Sequence, residues 1–337
     1  MATPSPDPNW QSVPRRRFAQ LPTPLIEAPR LSRRLGGPRI LIKRDDLSGL
    51  AFGGNKVRKL EFLLGEALAR GCDTVITGGA QQSNHSRQTA AAAAACGLAC
   101  HLVLAGEAPA VPEGNLLLDL LCGAIPHYCG EHRKGEDIPA IAKQLEAQGA
   151  RCYLVPYGGS NALGALGFVN AAHELAQQLE QRGERVDHVI FASSSGGTHA
   201  GLAQGLAWYA REIVPLGIGI DPEEGRPEDF KRQVTAIARG AAQLLKSDSE
   251  LGEEDIHYSG DYHGAGYGVI GDGEREALRL VATTEGVVLD PVYTGRAMKG
   301  LIALIRAKEF QPDQTVVFWH TGGLPSLFQR ANELLLA

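Results

Sequence analysis

Apolar positions along this chain recur with two alternating spacings. Short β-branched or continuously apolar runs at 39–43, 74–77, 99–104, 152–156, 186–192 and 315–319 read as strands. Between them lie longer stretches with helical spacing at 59–70, 88–96, 138–148, 162–182, 199–212, 273–285 and 295–308. Several of these stop at a glycine: Gly71, Gly97 and Gly149. Strands alternating with helices predict an α/β protein of parallel sheets wrapped by helices, with ligands outside the carboxyl ends of the strands.

Composition narrows the class. The 337 residues are 44% hydrophobic and 21% charged, and the formal net charge of -5 comes from intermixed signs. No basic stripe suited to nucleic acid is present, and Arg15-Arg16-Arg17 and Arg33-Arg34 read as solvated faces. The opening residues, Met1 to Pro8, are polar and proline-rich and read as frayed, without the layout of a secretory signal. No apolar run reaches the roughly 18 residues of a membrane span. The six cysteines contain no CxxC pair, and Cys96 and Cys100 read as buried thiols rather than metal ligands. The expectation is a cytoplasmic chain with free thiols and no bound metal.

The loops at the predicted strand ends carry the chemistry. Gly53-Gly54-Asn55-Lys56, Gln82-Ser83-Asn84-His85, Gly158-Gly159-Ser160-Asn161, Ser193 to Thr198 and His320-Thr321-Gly322-Gly323 are polar and glycine-rich, as if one site were assembled from distant segments. The loop 193–198 precedes a helix and can turn backbone N–H groups toward an anion, although it is neither a Walker loop nor GxGxxG, and a simple capped turn explains it as well. Lys56 opens a helix beside Arg58 and Lys59, which disfavours its ammonium form and suits it to attack a carbonyl; a solvated lysine is the alternative. Ser83 and Asn84 either cap a helix or clasp a carboxylate. The histidines are scattered singles, and no GxSxG elbow occurs.

Together these segments resemble the pyridoxal-phosphate family of D-cysteine desulfhydrase and 1-aminocyclopropane-1-carboxylate deaminase. The resemblance rests on 53–61, on 82–91, on Gly158 to Gly164, on Gly264-Ala265-Gly266-Tyr267-Gly268, on Asp290-Pro291-Val292-Tyr293-Thr294-Gly295 and on 320–323, and spans about residues 18 to 330. It implies a tryptophan-synthase-β-like fold (fold type II), with two parallel-sheet α/β domains and pyridoxal 5'-phosphate between them. Residues 1–56 and 168–337 would form the larger domain and 57–167 the smaller.

Carried over by position, the resemblance implies that Lys56 holds the cofactor as a Schiff base and that Asn84 bonds its ring oxygen. Ser195, Gly196, Gly197 and Thr198 would hold the phosphate, with Thr321 also at the cofactor. Ser83, neighbouring amides and His85 would face the substrate carboxylate, Tyr267 and Tyr293 would border the substrate, and Thr294 would meet the pyridine nitrogen. His85 and Thr294 match the desulfhydrase side of the family, where the deaminase has Gln and Glu. Ser194 stands where a glycine is usual, Ala265 replaces a common proline, and the acidic, proline-containing stretch 221–229 departs from the family pattern.

The implied reaction is β-elimination on a small amino acid: D-cysteine to pyruvate, hydrogen sulfide and ammonia. L-cysteate sulfo-lyase and ring-opening deaminase activities are the alternatives. A cofactor-binding carrier or regulator without turnover is the rival from another class, and intact Lys56, Ser83, Tyr267 and Tyr293 argue against it. A homodimer is expected, with neither a nucleic-acid nor a membrane partner.

Overall fold

A computed structural model describes residues 10–132, 134–222 and 225–335. The opening residues Met1 to Pro8 and part of 221–229 lie outside the described residues. Among the described residues ten strands form two sheets: β1 (Leu25–Glu27), β2 (Arg39–Arg44), β3 (Thr74–Gly79), β4 (Ala99–Leu104), β5 (Ile125–Tyr128), β6 (Cys152–Leu154), β7 (His188–Ser193), β8 (Val214–Gly219), β9 (His257–Ser259) and β10 (Thr315–His320). The six-stranded sheet has the order β1-β2-β10-β7-β8-β9 and the four-stranded one β5-β4-β3-β6. Every pairing is parallel except β1 with β2. Parallel strands need helical crossovers that cover both faces, and the strands are accordingly apolar and buried, as in Ile40-Leu41-Ile42 and Val316-Val317-Phe318-Trp319.

The helices are α1 (Pro29–Leu35), α2 (Lys56–Ala69), α3 (Asn84–Cys96), α4 (Gly114–Leu121), α5 (Ile138–Ala147), α6 (Ala162–Arg182), α7 (Gly197–Tyr209), α8 (Pro227–Leu244), α9 (Asp272–Glu285) and α10 (Thr294–Arg306), followed by two short C-terminal ones. Helices α2 and α7 begin earlier than their apolar spacing suggests, at Lys56 and Gly197, because their first turns place the polar residues Lys56, Lys59, Thr198 and His199 at the site.

Strand β8 escapes a reading by hydrophobic pattern because Val214-Pro215-Leu216-Gly217-Ile218-Gly219 carries one proline and two glycines. Both glycines are forced by packing. A Cβ at Gly217 would stand 2.6 Å from His199 Nδ1, and one at Gly219 would stand 2.3 Å from the Tyr258 hydroxyl. Pro215 is tolerated because β9 pairs only with Leu216 to Ile218.

Two smaller readings are corrected. Arg15 is not a solvated charge: it donates to Glu61, whose carboxylate is buried, and so ties the N-terminal segment to α2. The six cysteines are free thiols, but only Cys100 is buried, and Cys96 is half-buried at the end of α3. No described helix is long and apolar enough to cross a membrane.

Candidate active site

The loops after β2, β3, β6, β7 and β10 lead off the carboxyl ends of both sheets and meet at one cavity. Its lining includes Asn55, Lys56, Lys59, Ser83, Asn84, His85, Tyr157, Gly158, the residues 192–196, Thr198, His199, Tyr293 and Thr321. Of the residues singled out in the sequence, Lys56, Ser83, Asn84, His85, Ser195, Gly196, Thr198, Tyr293 and Thr321 therefore line one space. Gly197, Tyr267 and Thr294 do not.

Lys56 stands at the first position of α2, and its Nζ donates to the Gly158 carbonyl at 3.2 Å. The helix is anchored behind it by Arg58, whose guanidinium pairs with Asp45 at 2.8 Å and Glu174 at 2.9 Å. Arg58 is thus neutralised and turned away from the cavity, and the cation near Lys56 is Lys59. Lys59 is fully buried and donates to Gly158 O at 3.1 Å and Ser160 Oγ at 3.2 Å. Burial first, then the Lys56 charge and hydrogen bond, push its ammonium well below the usual lysine range. The sequence offers Lys59 only as a cation beside Lys56, although a lysine three positions later shares the same helix face.

The loop 193–196 caps α7. Gly196 is left-handed (φ 85°), a conformation that favours glycine, and Gly197 begins the helix. The amide of Gly197 donates to Ser160 Oγ at 3.0 Å, and Ser160 Oγ lies 2.8 Å from Ser195 Oγ. A Cβ on Gly197 would come within 2.7 Å of Ser160 Oγ, and one on Gly158 within 2.1 Å of Ser195 Oγ. Two glycines thus keep open a cradle bounded by a helix N-terminus, the hydroxyls of Ser160, Ser195 and Thr198, and two lysine nitrogens. That donor set fits a phosphate next to a lysine amine. Ser194 is not left-handed, so it occupies the position usual for glycine without backbone strain.

Ser83 caps α3, its oxygen accepting from the Ser86 amide at 3.2 Å, which leaves its own proton for a ligand. Asn84 Oδ1 accepts from Asn115 Nδ2 at 3.0 Å, which fixes the amide. His85 lines the cavity beside them. Its Nε2 lies 2.8 Å from Thr77 Oγ1, and that hydroxyl has its single proton committed to the Val155 carbonyl at 2.9 Å. The network therefore assigns the Nε2–H tautomer. Burial, then the charges of Lys56 and Lys59, push its pKa well below the usual histidine range. A neutral ring bonded toward Thr77 brings no positive charge to the cavity.

Tyr293 precedes α10, and its hydroxyl is 2.6 Å from that of Tyr267. Burial, then the Tyr267 neighbour, raise its phenol well above the usual range. Tyr267 reaches the cavity through this contact. Thr294 stands apart from the cavity lining: its Oγ1 donates to Asp290 Oδ1 at 2.7 Å and accepts the Asp290 amide at 2.8 Å. Its hydroxyl is spent within the turn that starts α10. Thr321, unlike Thr294, lies on the cavity wall, where its carbonyl also holds the Asn55 amide at 3.0 Å. His199, fully buried with its pKa depressed to about 3 by burial, bonds Ser193 Oγ at 3.0 Å and stiffens the loop.

A two-sheet α/β enzyme with a lysine beside a phosphate cradle is the class that the fold and site define. A family model described as "Pyridoxal-phosphate dependent enzyme" matches residues 17–322, and the chain belongs to that family. A curated D-cysteine desulfhydrase of Salmonella typhimurium is 46% identical over 321 residues, covering 94% of this chain and 95% of the relative. One from Salmonella newport is 45% identical over the same share. The solved structure of an ACC deaminase homologue superposes with a TM-score of 0.88 at 38% identity, covering 96% of each chain. A pyridoxal 5'-phosphate-dependent aspartate racemase, at 20% identity and TM-score 0.65, shares the fold alone.

Proposed function

We propose that this chain is a carbon–sulfur lyase that converts D-cysteine and water to pyruvate, hydrogen sulfide and ammonia. The observation that carries this reading is that Lys56, Ser83 and Tyr293, from three distant segments, line the same cavity as the phosphate cradle. The relatives named above supply the substrate.

In this reading Lys59, Ser160, Ser195, Gly196, Gly197 and Thr198 hold the cofactor phosphate, Lys56 its carbonyl carbon, Asn84 the ring oxygen and Thr321 the ring nitrogen. When bound, the cofactor draws off the electron pair left at the substrate Cα. Ser83 and the first amides of α3 orient the substrate carboxylate, so that the Cα–H bond points at the Lys56 amine, which takes the proton. The Tyr293 phenol stays protonated near neutral pH and is a hydrogen-bond donor to the departing sulfur, oriented by Tyr267, while the proton that Lys56 takes from Cα balances the one that leaves with the sulfide. The smaller sheet and its helices (57–167) and the larger (1–56 with 168–337) form the two domains that bound the cavity. A cytoplasmic homodimer belongs to the same proposal, and light scattering of the purified protein tests the dimer.

Ring-opening deamination is the second reading, favoured by the likeness to the ACC deaminase homologue. Purified, cofactor-loaded protein incubated with D-cysteine, L-cysteine, L-cysteate and 1-aminocyclopropane-1-carboxylate separates them. Equimolar sulfide and pyruvate from D-cysteine support the lyase, whereas a four-carbon keto acid from the cyclopropane compound with no sulfide from D-cysteine refutes it.

A further inference from the structure

We infer that Arg296 is a positioning residue that sets the Tyr267 hydroxyl against Tyr293, an inference that rests on the role given to this pair under the proposed function. The loop 264–269 that bears Tyr267 has little to hold its shape. Gly264, Gly266 and Gly268 have φ of 66°, 158° and 72°, Ala265 is exposed, and no strand or helix includes the segment. A loop of such glycines samples many conformations unless something external fixes it.

Arg296 is that external element. It lies on α10, one turn after Tyr293, and is fully buried. Its Nη1 donates to the Gly266 carbonyl at 3.1 Å and to the Ile220 carbonyl, just beyond β8, at 2.5 Å. Its Nη2 donates to the Val269 carbonyl at 2.6 Å. One planar fork therefore ties both sides of Tyr267 to the larger sheet and to the helix that begins at Tyr293. Such directional multidentate binding is available to arginine and not to lysine.

The guanidinium is itself held. Its Nε donates to Glu274 Oε1 at 3.0 Å, and Lys299 Nζ reaches the same oxygen at 3.2 Å. Glu274 Oε2 accepts the Gly271 amide at 3.1 Å, at the start of α9. A buried charge with four acceptors is costly to assemble by burial alone. Here it joins Tyr293 and Tyr267, which are 26 residues apart, so that their oxygens meet at 2.6 Å.

The test is a double-mutant cycle on the cofactor-loaded protein, read as kcat and KM for D-cysteine. Arg296→Lys keeps a cation but withdraws the fork, and Tyr267→Phe removes the hydroxyl that the fork positions. Each single change is expected to lower kcat by on the order of 10²-fold with KM less affected, and the double variant is expected to be no worse than Tyr267→Phe alone. Amide hydrogen exchange across 264–269 should quicken in Arg296→Lys while cofactor affinity stays near that of the parent protein. Gly266→Ala strains the same loop without disturbing the ion cluster, since its Cβ would meet only Val269 Cγ2, at 3.5 Å. It should show the same non-additivity with Tyr267→Phe even if Arg296→Lys does not fold. Losses that multiply in either cycle overturn the inference and leave the role of Tyr267 standing. A fully active Tyr267→Phe overturns the role of the tyrosine pair instead, and unchanged exchange in Arg296→Lys then overturns the tether as well.

Discussion

Lys56 and Lys59 direct their side-chain nitrogens at one carbonyl oxygen, that of Gly158, at 3.2 and 3.1 Å. Burial, then the Lys56 charge and hydrogen bond, disfavour the Lys59 ammonium. A phosphate in the cradle would favour that charged form again.

Lys59→Met should therefore weaken cofactor affinity by roughly 10- to 100-fold, the value of a hydrogen bond to a charged group, while the cofactor that does bind still attaches at Lys56. Fluorescence titration of the cofactor-free protein with pyridoxal 5'-phosphate measures this. An unchanged affinity would place the phosphate elsewhere.

The cradle can be closed from the other side. Gly158→Ala puts a methyl group within reach of Ser195 Oγ at a backbone φ of 64° that disfavours any side chain. It is expected to lower cofactor affinity by at least about tenfold and to cost about 1–2 kcal/mol of stability. The same titration, paired with chemical denaturation, checks both effects.

The threonines provide a clean contrast. Thr294→Val should break the bonds to Asp290 and cost about 1–3 kcal/mol of stability, with the visible spectrum of the bound cofactor unchanged. Thr321→Val should shift that spectrum with little loss of stability. The reverse pattern would return the ring nitrogen to Thr294.

Those two residues also mark how far the sequence could be read. Glycine-rich loops after apolar strands pointed to Lys56, Ser83, Asn84, Ser195 and Thr198, and the family resemblance added Tyr293; all six line one cavity. Whether a hydroxyl faces a ligand or its own turn depends on the rotamer and on Asp290 four residues back, and no spacing encodes that. The tautomer of His85 depends likewise on Thr77, whose proton is committed to the Val155 carbonyl just beyond β6, far along the chain. Strand β8 was hidden because its glycines answer His199 and Tyr258, contacts that exist only once the chain has folded.

Buried histidines fix an acid limit. His85, His199 and His320 all have folded-state pKa values below the usual 6.5, chiefly through burial. The unfolded chain binds these protons near pH 6.5 and the folded chain does not, so stability should fall as pH drops below that value. The slope approaches about 1.4 kcal/mol per pH unit for each histidine. Thermal melts between pH 7 and 5 should show this decline, and His199→Gln should flatten it. Stability that holds level down to pH 5 would mean that these rings already carry charge in the fold.

The central claim is that Lys56 binds the cofactor covalently and that the resulting enzyme releases sulfide from D-cysteine. Borohydride reduction of cofactor-loaded protein, followed by peptide mass mapping, tests the first half most directly, with sulfide and pyruvate assayed on the same preparation before reduction. The adduct should map to Lys56, disappear in Lys56→Ala together with D-cysteine turnover, and leave Lys59 unmodified. An adduct on Lys59 or any other lysine, or sulfide release that persists in Lys56→Ala, would contradict the account.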